Sequence, residues 1–295
     1  MIRPLFLACC TLALAACSGG KAKPPPAPPA KPALWKVVDA DTTIYLFGTI
    51  HLLPEGTRWT GPKLNAALGR SQQLVLETIL DDPAKLGATM VKLGTSPGLP
   101  PILSRVPPAK RAALKSAIAK SAVGQTTLDK METWAVALAL SSASLAAADL
   151  RHADGVEAQL TAAFKRAGKP IGVLETPEQQ LGYFDSLPEA VQRKFLVSVA
   201  EDSTNIKREF AAMISAWRRG DVRKIAVTFD DEMRLTPELA DVLLRRRNLI
   251  WANWVGARMG KPGTVFVAVG AGHLAGKGSV DALVARKGFK VVRVQ

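Results

Sequence analysis

Two kinds of apolar pattern alternate along this chain. Short runs rich in β-branched and aromatic residues, bounded by glycine and proline, suit buried or half-buried strands. Longer alanine- and leucine-rich stretches repeat their apolar positions with helical spacing. The first pattern predicts paired strands at Leu34–Asp39 and Thr43–Ile50 around a tight Ala40-Asp41 turn. Further strands are expected at Gln73–Thr78, Pro170–Leu174, Thr264–Val269 and Lys290–Val294. The second pattern predicts a short helix at Pro62–Arg70 and a helical region from Pro83 to Leu150, in which Pro107-Pro108 opens one helix and Glu132–Ala148 forms another. An amphipathic helix at Gly155–Ala167 stops at Gly168, helices fill Pro177 to Gly260, and one more spans Val280–Lys287. The expected fold class is α/β: a small central mixed sheet with a large helical insertion.

The first residues read differently. Arg3 followed by the apolar run Leu5–Ala16 is too short for the ~20 residues of a spanning helix and has the layout of a secretory signal. It ends Leu14-Ala15-Ala16-Cys17, which resembles a bacterial lipobox with lipid added to Cys17. Ser18 after that cysteine resembles the sorting pattern for the outer membrane. Ser18–Pro32, with KAKPPPAPPAKP as its core, favours extended polyproline II and should act as a semi-rigid spacer. The expected organisation is a signal peptide at 1–16, a lipidated cysteine and linker at 17–33, and an α/β domain at 34–295. The expected place is the bacterial periplasm, lipid-anchored at the outer membrane. Cys9 and Cys10 leave with the signal, so the folded part has no cysteine for a disulfide, a thiolate metal site or a nucleophile.

The formal net charge is +14, and only Arg3, Lys21, Lys23 and Lys31 of its cations precede residue 34. Such a balance suits nucleic acid in a cytosolic protein, but export argues against that partner and for an anionic envelope surface. Pro83–Leu128 holds no Asp or Glu, yet carries Lys85, Lys92, Arg105, Lys110, Arg111, Lys115 and Lys120; a solvated helical face is the expected reading.

The chemistry concentrates at strand ends. Thr43–Gly56 reads TIYLFGTIHLLPEG, a strand that stops at Gly48 and hands over His51; Thr264–Val269 likewise leads through Gly270 to His273. Two of the three histidines of the chain therefore sit in a strand followed by G-x-x-H. The third, His152, reads as a surface residue at a helix boundary. Glu77 and Glu175 fall at the ends of two other strands, and in open α/β sheets that edge is where sites form. Two imidazoles with one or two carboxylates make a mixed N/O set for a divalent ion such as Zn, Mn or Co. The same residues could instead work without metal, a histidine acting as general base held by a carboxylate. G-x-S-x-G, G-x-x-x-x-G-K-[ST] and H-E-x-x-H are absent.

In chain order, Phe47-Gly48-Thr49-Ile50-His51-Leu52, Leu76-Glu77-Thr78, Gly155-Val156-Glu157, Leu174-Glu175-Thr176-Pro177-Glu178-Gln179-Gln180, Arg247-Asn248 and Val269-Gly270-Ala271-Gly272-His273-Leu274-Ala275-Gly276 resemble the successive motifs of the TraB/GumN family. That family is similar to the Tiki membrane-tethered metalloproteases and, more distantly, to erythromycin esterase and a haem-binding lipoprotein family. The resemblance covers about residues 34–295. It implies two related halves, each with a G-x-x-H, and a site using both histidines with a glutamate. For Tiki-like members it also implies metal-dependent peptide-bond hydrolysis with Mn or Co. On it, His51, His273 and Glu77 are expected as metal ligands or base, Glu175 as a fourth ligand or the carboxylate that activates water, and Glu77 and Glu175 as the catalytic carboxylates. Arg247 is expected to bind a substrate carboxylate or developing oxyanion, or else to pair with one of the glutamates. Gly48, Gly270, Glu157 and Asn248 are expected in support; Glu157 stands where Asp is common in the family. Trp251 and Trp254 read as core. The expected substrate is a peptide or envelope polymer. The other readings are a metal- or haem-binding lipoprotein, in which only Tyr45 and Tyr183 could supplement histidine, and a peptide-binding regulator.

Overall fold

The computed structural model describes residues 30–79, 82–146, 155–202, 206–227 and 237–295. The expected signal segment, Cys17, most of the expected linker and His152 lie outside the described residues. The apolar runs form six strands: β1 (Leu34–Val38), β2 (Thr42–Thr49), β3 (Gln73–Leu76), β4 (Ile171–Val173), β5 (Gly263–Gly270) and β6 (Val291–Arg293). They make one mixed sheet in the order β4-β3-β5-β2-β1-β6. The contacts β3–β4, β3–β5 and β2–β5 are parallel, while β1 pairs antiparallel with both β2 and β6. The β1–β2 turn closes because Asp39 Oδ1 accepts the backbone N–H groups of Asp41 and Thr42 at 3.2 and 2.8 Å. β1, β3, β4 and β6 are one or two residues shorter than expected, β2 is as long as expected and β5 is two residues longer; Glu77 and Glu175 lie just past β3 and β4.

Parallel strands in the middle of a sheet are covered on both faces and so read as continuous apolar runs. On one face Tyr45, Phe47, Leu74, Leu76, Phe266 and Ala268 meet α1 (Pro62–Arg70) through Leu64 and Ala67 and α5 (Val156–Arg166) through Val156, Leu160 and Phe164. Ala216 and Trp217 of α8 (Ile206–Arg218) complete that face. On the other, Ile44, Leu46, Val75, Val265, Val267 and Val269 meet α9 (Arg246–Met259) and α10 (Val280–Arg286). A π turn, Asp241–Arg245, leads directly into α9. Nothing in the apolar spacing signals that turn, which aims the first residues of α9 at the sheet edge.

The insertion comprises α2 (Pro83–Gly94), α3 (Arg111–Lys120), α4 (Thr133–Ala146), α6 (Pro177–Asp185) and α7 (Glu189–Asp202). Leu114, Ala117, Val136, Ala137, Leu140, Leu196 and Ala200 give it a core of its own. The two prolines open a 3₁₀ turn at Pro108–Lys110 before α3 begins. The basic stretch is not all solvated. Arg105 is buried and donates to the carbonyls of Pro100, Asp129 and Met131 at 2.8, 2.9 and 2.6 Å, and Lys110 pairs with Glu201. Loop carbonyls that no ladder could satisfy claim the guanidinium. Among the described residues, no helix is long and apolar enough to cross a membrane.

Candidate functional site

The C-terminal ends of β4, β3, β5 and β2 lie side by side, and each delivers one polar residue: Glu175, Glu77, His273 and His51. The neighbours are paired copies. Val75-Leu76-Glu77-Thr78 and Val173-Leu174-Glu175-Thr176 are the same four residues, on adjacent parallel strands whose pairing continues as Leu174 N–H to Leu76 O (2.9 Å) and Glu175 N–H to Glu77 O (2.8 Å). The two G-x-x-H strands are also adjacent, and both pairs are offset by one residue: Leu76 lies opposite Val173 and not Leu174, and Gly48 opposite Val269 and not Gly270. An offset of one residue reverses the face to which equivalent side chains point. Phe47 therefore packs on the α5 face and its counterpart Val269 on the α9 face. The two histidines accordingly take their Nδ1 partners from opposite sides: Glu157 of α5 for His51 (2.7 Å) and Asn248 of α9 for His273 (2.6 Å).

Both motif glycines are required by close approach. A Cβ on Gly48 would stand 3.1 Å from Ala271 Cα. One on Gly270 would stand 3.2 Å from Glu77 Oε1, 3.6 Å from His273 Cδ2 and 3.7 Å from His51 Nε2. That single point, in contact range of all three side chains, is where the edge converges. Glu77 Oε1 also accepts the Gly270 N–H at 2.5 Å.

Arg247 is the hub. Its Nε donates to Glu175 Oε1 and Oε2 (3.0 and 3.1 Å), and Nη2 to Glu77 Oε2 and Glu175 Oε2 (both 2.8 Å). Nη1 donates to the Leu243 carbonyl of the π turn (3.1 Å) and to His273 Nε2 (3.2 Å). A guanidinium has five N–H bonds, and all five are used. None is left for a substrate carboxylate or oxyanion, so the salt-bridge alternative is the arrangement the structure has. Because arginine can only donate, His273 Nε2 must accept, its Nδ1 carries the proton, and Asn248 must present Oδ1. The Asn248 amide then donates to the Gly278 carbonyl at 2.9 Å. The polarity of this chain is fixed at both ends.

The two histidines differ in charge. Burial pushes the His273 pKa down to about 3, outweighing Glu77, with Arg247 and His51 adding to the fall. For His51, the surrounding groups lower the pKa by desolvation, but the charge and hydrogen bond of Glu157, with Glu77, raise it to about 9. Its side chain is nonetheless 58% exposed, so water screens the pair. Burial works to raise the Glu77 pKa, but His273, Arg247, His51 and the Gly270 N–H draw it down to about 2. Glu157 is likewise held low against its burial by His51 and by the Thr49 hydroxyl, which donates to the same Oε1; its Oε2 is buried without a hydrogen-bond partner.

Several participants were not legible beforehand. Trp251, expected as core only, donates Nε1–H to Glu175 Oε1 (3.0 Å) and lies against His273, centroids 4.3 Å apart. Tyr183 OH donates to Glu175 Oε1 (3.3 Å), Gln180 to Glu77 Oε2 (3.4 Å), and Thr49 holds Glu157. The LETPEQQ run contains Gln180, but only its place on α6 brings it over the edge. As for a divalent ion, Glu77 Oε1 and His273 Nε2 stand 3.8 Å apart, a spacing that two ligands of one ion can have. That His273 nitrogen already accepts from Arg247, however, and among the described residues no three His, Cys, Asp or Glu side chains form a group able to hold an ion. As arranged, the expected set of His51, His273 and Glu77 does not fit one.

Two relatives match this chain over most of their length. The chain is 23% identical over 253 residues to the uncharacterized protein YbaP of Escherichia coli (strain K12), covering 86% of this chain and 92% of that protein, and equally to YbaP of Shigella flexneri. No solved structure matches. A sequence model of the TraB/PrgY/gumN family matches residues 33–293, nearly the whole of the folded part with both G-x-x-H strands, and the chain therefore belongs to the TraB/PrgY/gumN family.

Proposed function

We propose that the chain is a hydrolase of amide or ester bonds, anchored in the cell envelope through lipid on Cys17, with His51 as the group that moves the proton. The observation that carries this reading is an exposed imidazole, fixed through Nδ1 by half-buried Glu157, whose Nε2 faces the corner shared with ionised Glu77. Neighbouring groups whose pKa values are pushed in opposite directions make an acid–base pair. At neutral pH His51 is the acid and Glu77 the base. Water held by Glu77 attacks the carbonyl carbon and passes a proton to that carboxylate, while His51 gives its proton to the leaving nitrogen or oxygen as the bond breaks. A carboxylate this acidic is a weak base, so the larger share of proton transfer falls to His51, worth roughly 10²–10⁴ in rate. Arg247, Glu175, Trp251, Tyr183 and the Asn248–His273 pair hold Glu77 in place.

The competing reading, a Mn, Co or Zn hydrolase, draws on the 3.8 Å spacing of Glu77 and His273 and requires Arg247 to leave the His273 lone pair. An ion bound there would polarise a carbonyl or lower the pKa of bound water. The test is hydrolysis of a peptide, amide and ester panel by the mature domain with and without chelator, alongside His51→Gln and Glu157→Gln. Activity that survives chelation, drops about 10²-fold in both variants and declines above pH ~9 supports the His51 mechanism. Activity abolished by chelator and restored by one ion per chain supports the metal reading. No hydrolysis by any form supports a binding protein. Anchoring is tested separately: labelled fatty acid should enter the wild type and not Cys17→Ser.

A further inference from the structure

We infer that the Arg247 guanidinium occupies the position of a divalent cation, and that removing it turns Glu77, Glu175 and His273 into a metal site. The inference rests on the metal-free reading above. Three potential ligands from three different strand ends converge on one side chain: Glu77 Oε2 and Glu175 Oε2 each lie 2.8 Å from Nη2, and His273 Nε2 lies 3.2 Å from Nη1. All three are buried. Two carboxylates and one imidazole presenting its lone pair are the mixed N/O donor set of Zn, Mn and Co sites.

With Arg247 between them these three form no group able to hold an ion, but each is oriented as a metal ligand is. A ligating imidazole usually donates its other N–H to a fixed acceptor, and His273 Nδ1 faces Asn248 Oδ1 at 2.6 Å. Glu175 Oε1 is steadied by Trp251 and Tyr183, and Glu77 Oε1 by the Gly270 N–H, leaving each Oε2 turned toward the guanidinium. In the wild type those directions are spent on Arg247. Without it, two carboxylates remain buried beside each other with only His51, already paired with Glu157, as a nearby cation, a costly arrangement that a dication relieves by neutralising both.

The experiment titrates Zn²⁺ and Mn²⁺ into the wild type and Arg247→Ala by calorimetry, with metal content measured after desalting. Wild type should retain no stoichiometric ion, and Arg247→Ala should bind one per chain. Adding His273→Gln or Glu175→Gln to Arg247→Ala should weaken that binding at least about tenfold. Where Arg247→Ala fails to fold alone, recovery of its circular dichroism and melting temperature on adding either ion gives the same answer. A wild type that already binds one ion through His273 overturns the inference, as does an Arg247→Ala that neither binds nor is stabilised, or that binds with equal affinity when His273 is lost. None of these readouts uses catalysis. Hydrolysis by the wild type in chelator tests the His51 mechanism by itself, so the two can fail separately.

Discussion

Glu175→Gln is the sharpest perturbation of the buried cluster, because it removes a charge while keeping the shape. The carboxylate receives Arg247 Nε on both oxygens and Nη2 on one, together with Trp251 Nε1–H and the Tyr183 hydroxyl. The amide keeps one acceptor oxygen, but its NH₂ then faces a guanidinium or indole N–H, donor against donor. Removing one partner of a buried ion pair costs about 3–5 kcal/mol. Arg247 keeps Glu77 at 2.8 Å, which places the cost at the lower end, about 3 kcal/mol. For a domain of this size each kcal/mol moves the melting temperature by about 2–4 °C, so a fall of about 6–12 °C is expected. Urea unfolding of the mature domain measures it, with the midpoint falling at constant m-value. Glu175→Gln combined with Arg247→Met should lose less than the sum of the two single variants, since the second change removes a charge that the first left half-paired. A midpoint within about 0.5 kcal/mol of wild type would refute the reasoning, since the arginine would then hold nothing that matters to stability.

Three further outcomes are expected. His273 is kept neutral with a pKa of about 3 against an ordinary 6.5, so stability should be full above pH 6.5 and decline as the pH falls toward 3, with loss of the Glu77 charge adding to the decline between 4.5 and about 2. His51, raised to about 9, should act in the opposite sense, its contribution full below pH 6.5 and lost as the pH rises through about 9. Urea midpoints across pH for His273→Gln and His51→Gln separate the two; an acid limb unchanged in His273→Gln contradicts the first. Gly270→Ala adds a methyl 3.2 Å from Glu77 Oε1 at an ordinary backbone conformation, φ −51° and ψ 139°, so overpacking of about 1–3 kcal/mol is expected, and hydrolysis should fall further than stability does. Arg105→Met leaves three part-buried loop carbonyls without that donor, at a total of about 1–3 kcal/mol, and hydrogen exchange should rise in α3, α4 and α7 while the sheet stays protected; uniform loss of protection would show that the insertion does not open separately.

The strands and their G-x-x-H endings could be read from the sequence because strand formation and termination are local: β-branched runs followed by glycine need no distant contact to be recognised. The same is true of Glu77 and Glu175, and of the helix whose first turn carries Arg247 and Asn248. The sequence alone thus determined which residues would stand at the sheet edge. What it left open were choices that depend on residues far apart in the chain. The strand order puts β5 between β2 and β3, which makes the two histidine strands neighbours although more than 200 positions separate them. The offset between those strands sends His51 to Glu157 and His273 to Asn248. It thereby gives one ring a carboxylate and the other an amide, which a motif repeated identically in sequence cannot specify. Whether Arg247 met substrate or glutamate was a question of donor count, and only tertiary packing, by bringing two carboxylates, an imidazole and a π-turn carbonyl to one guanidinium, used up all five of its N–H bonds.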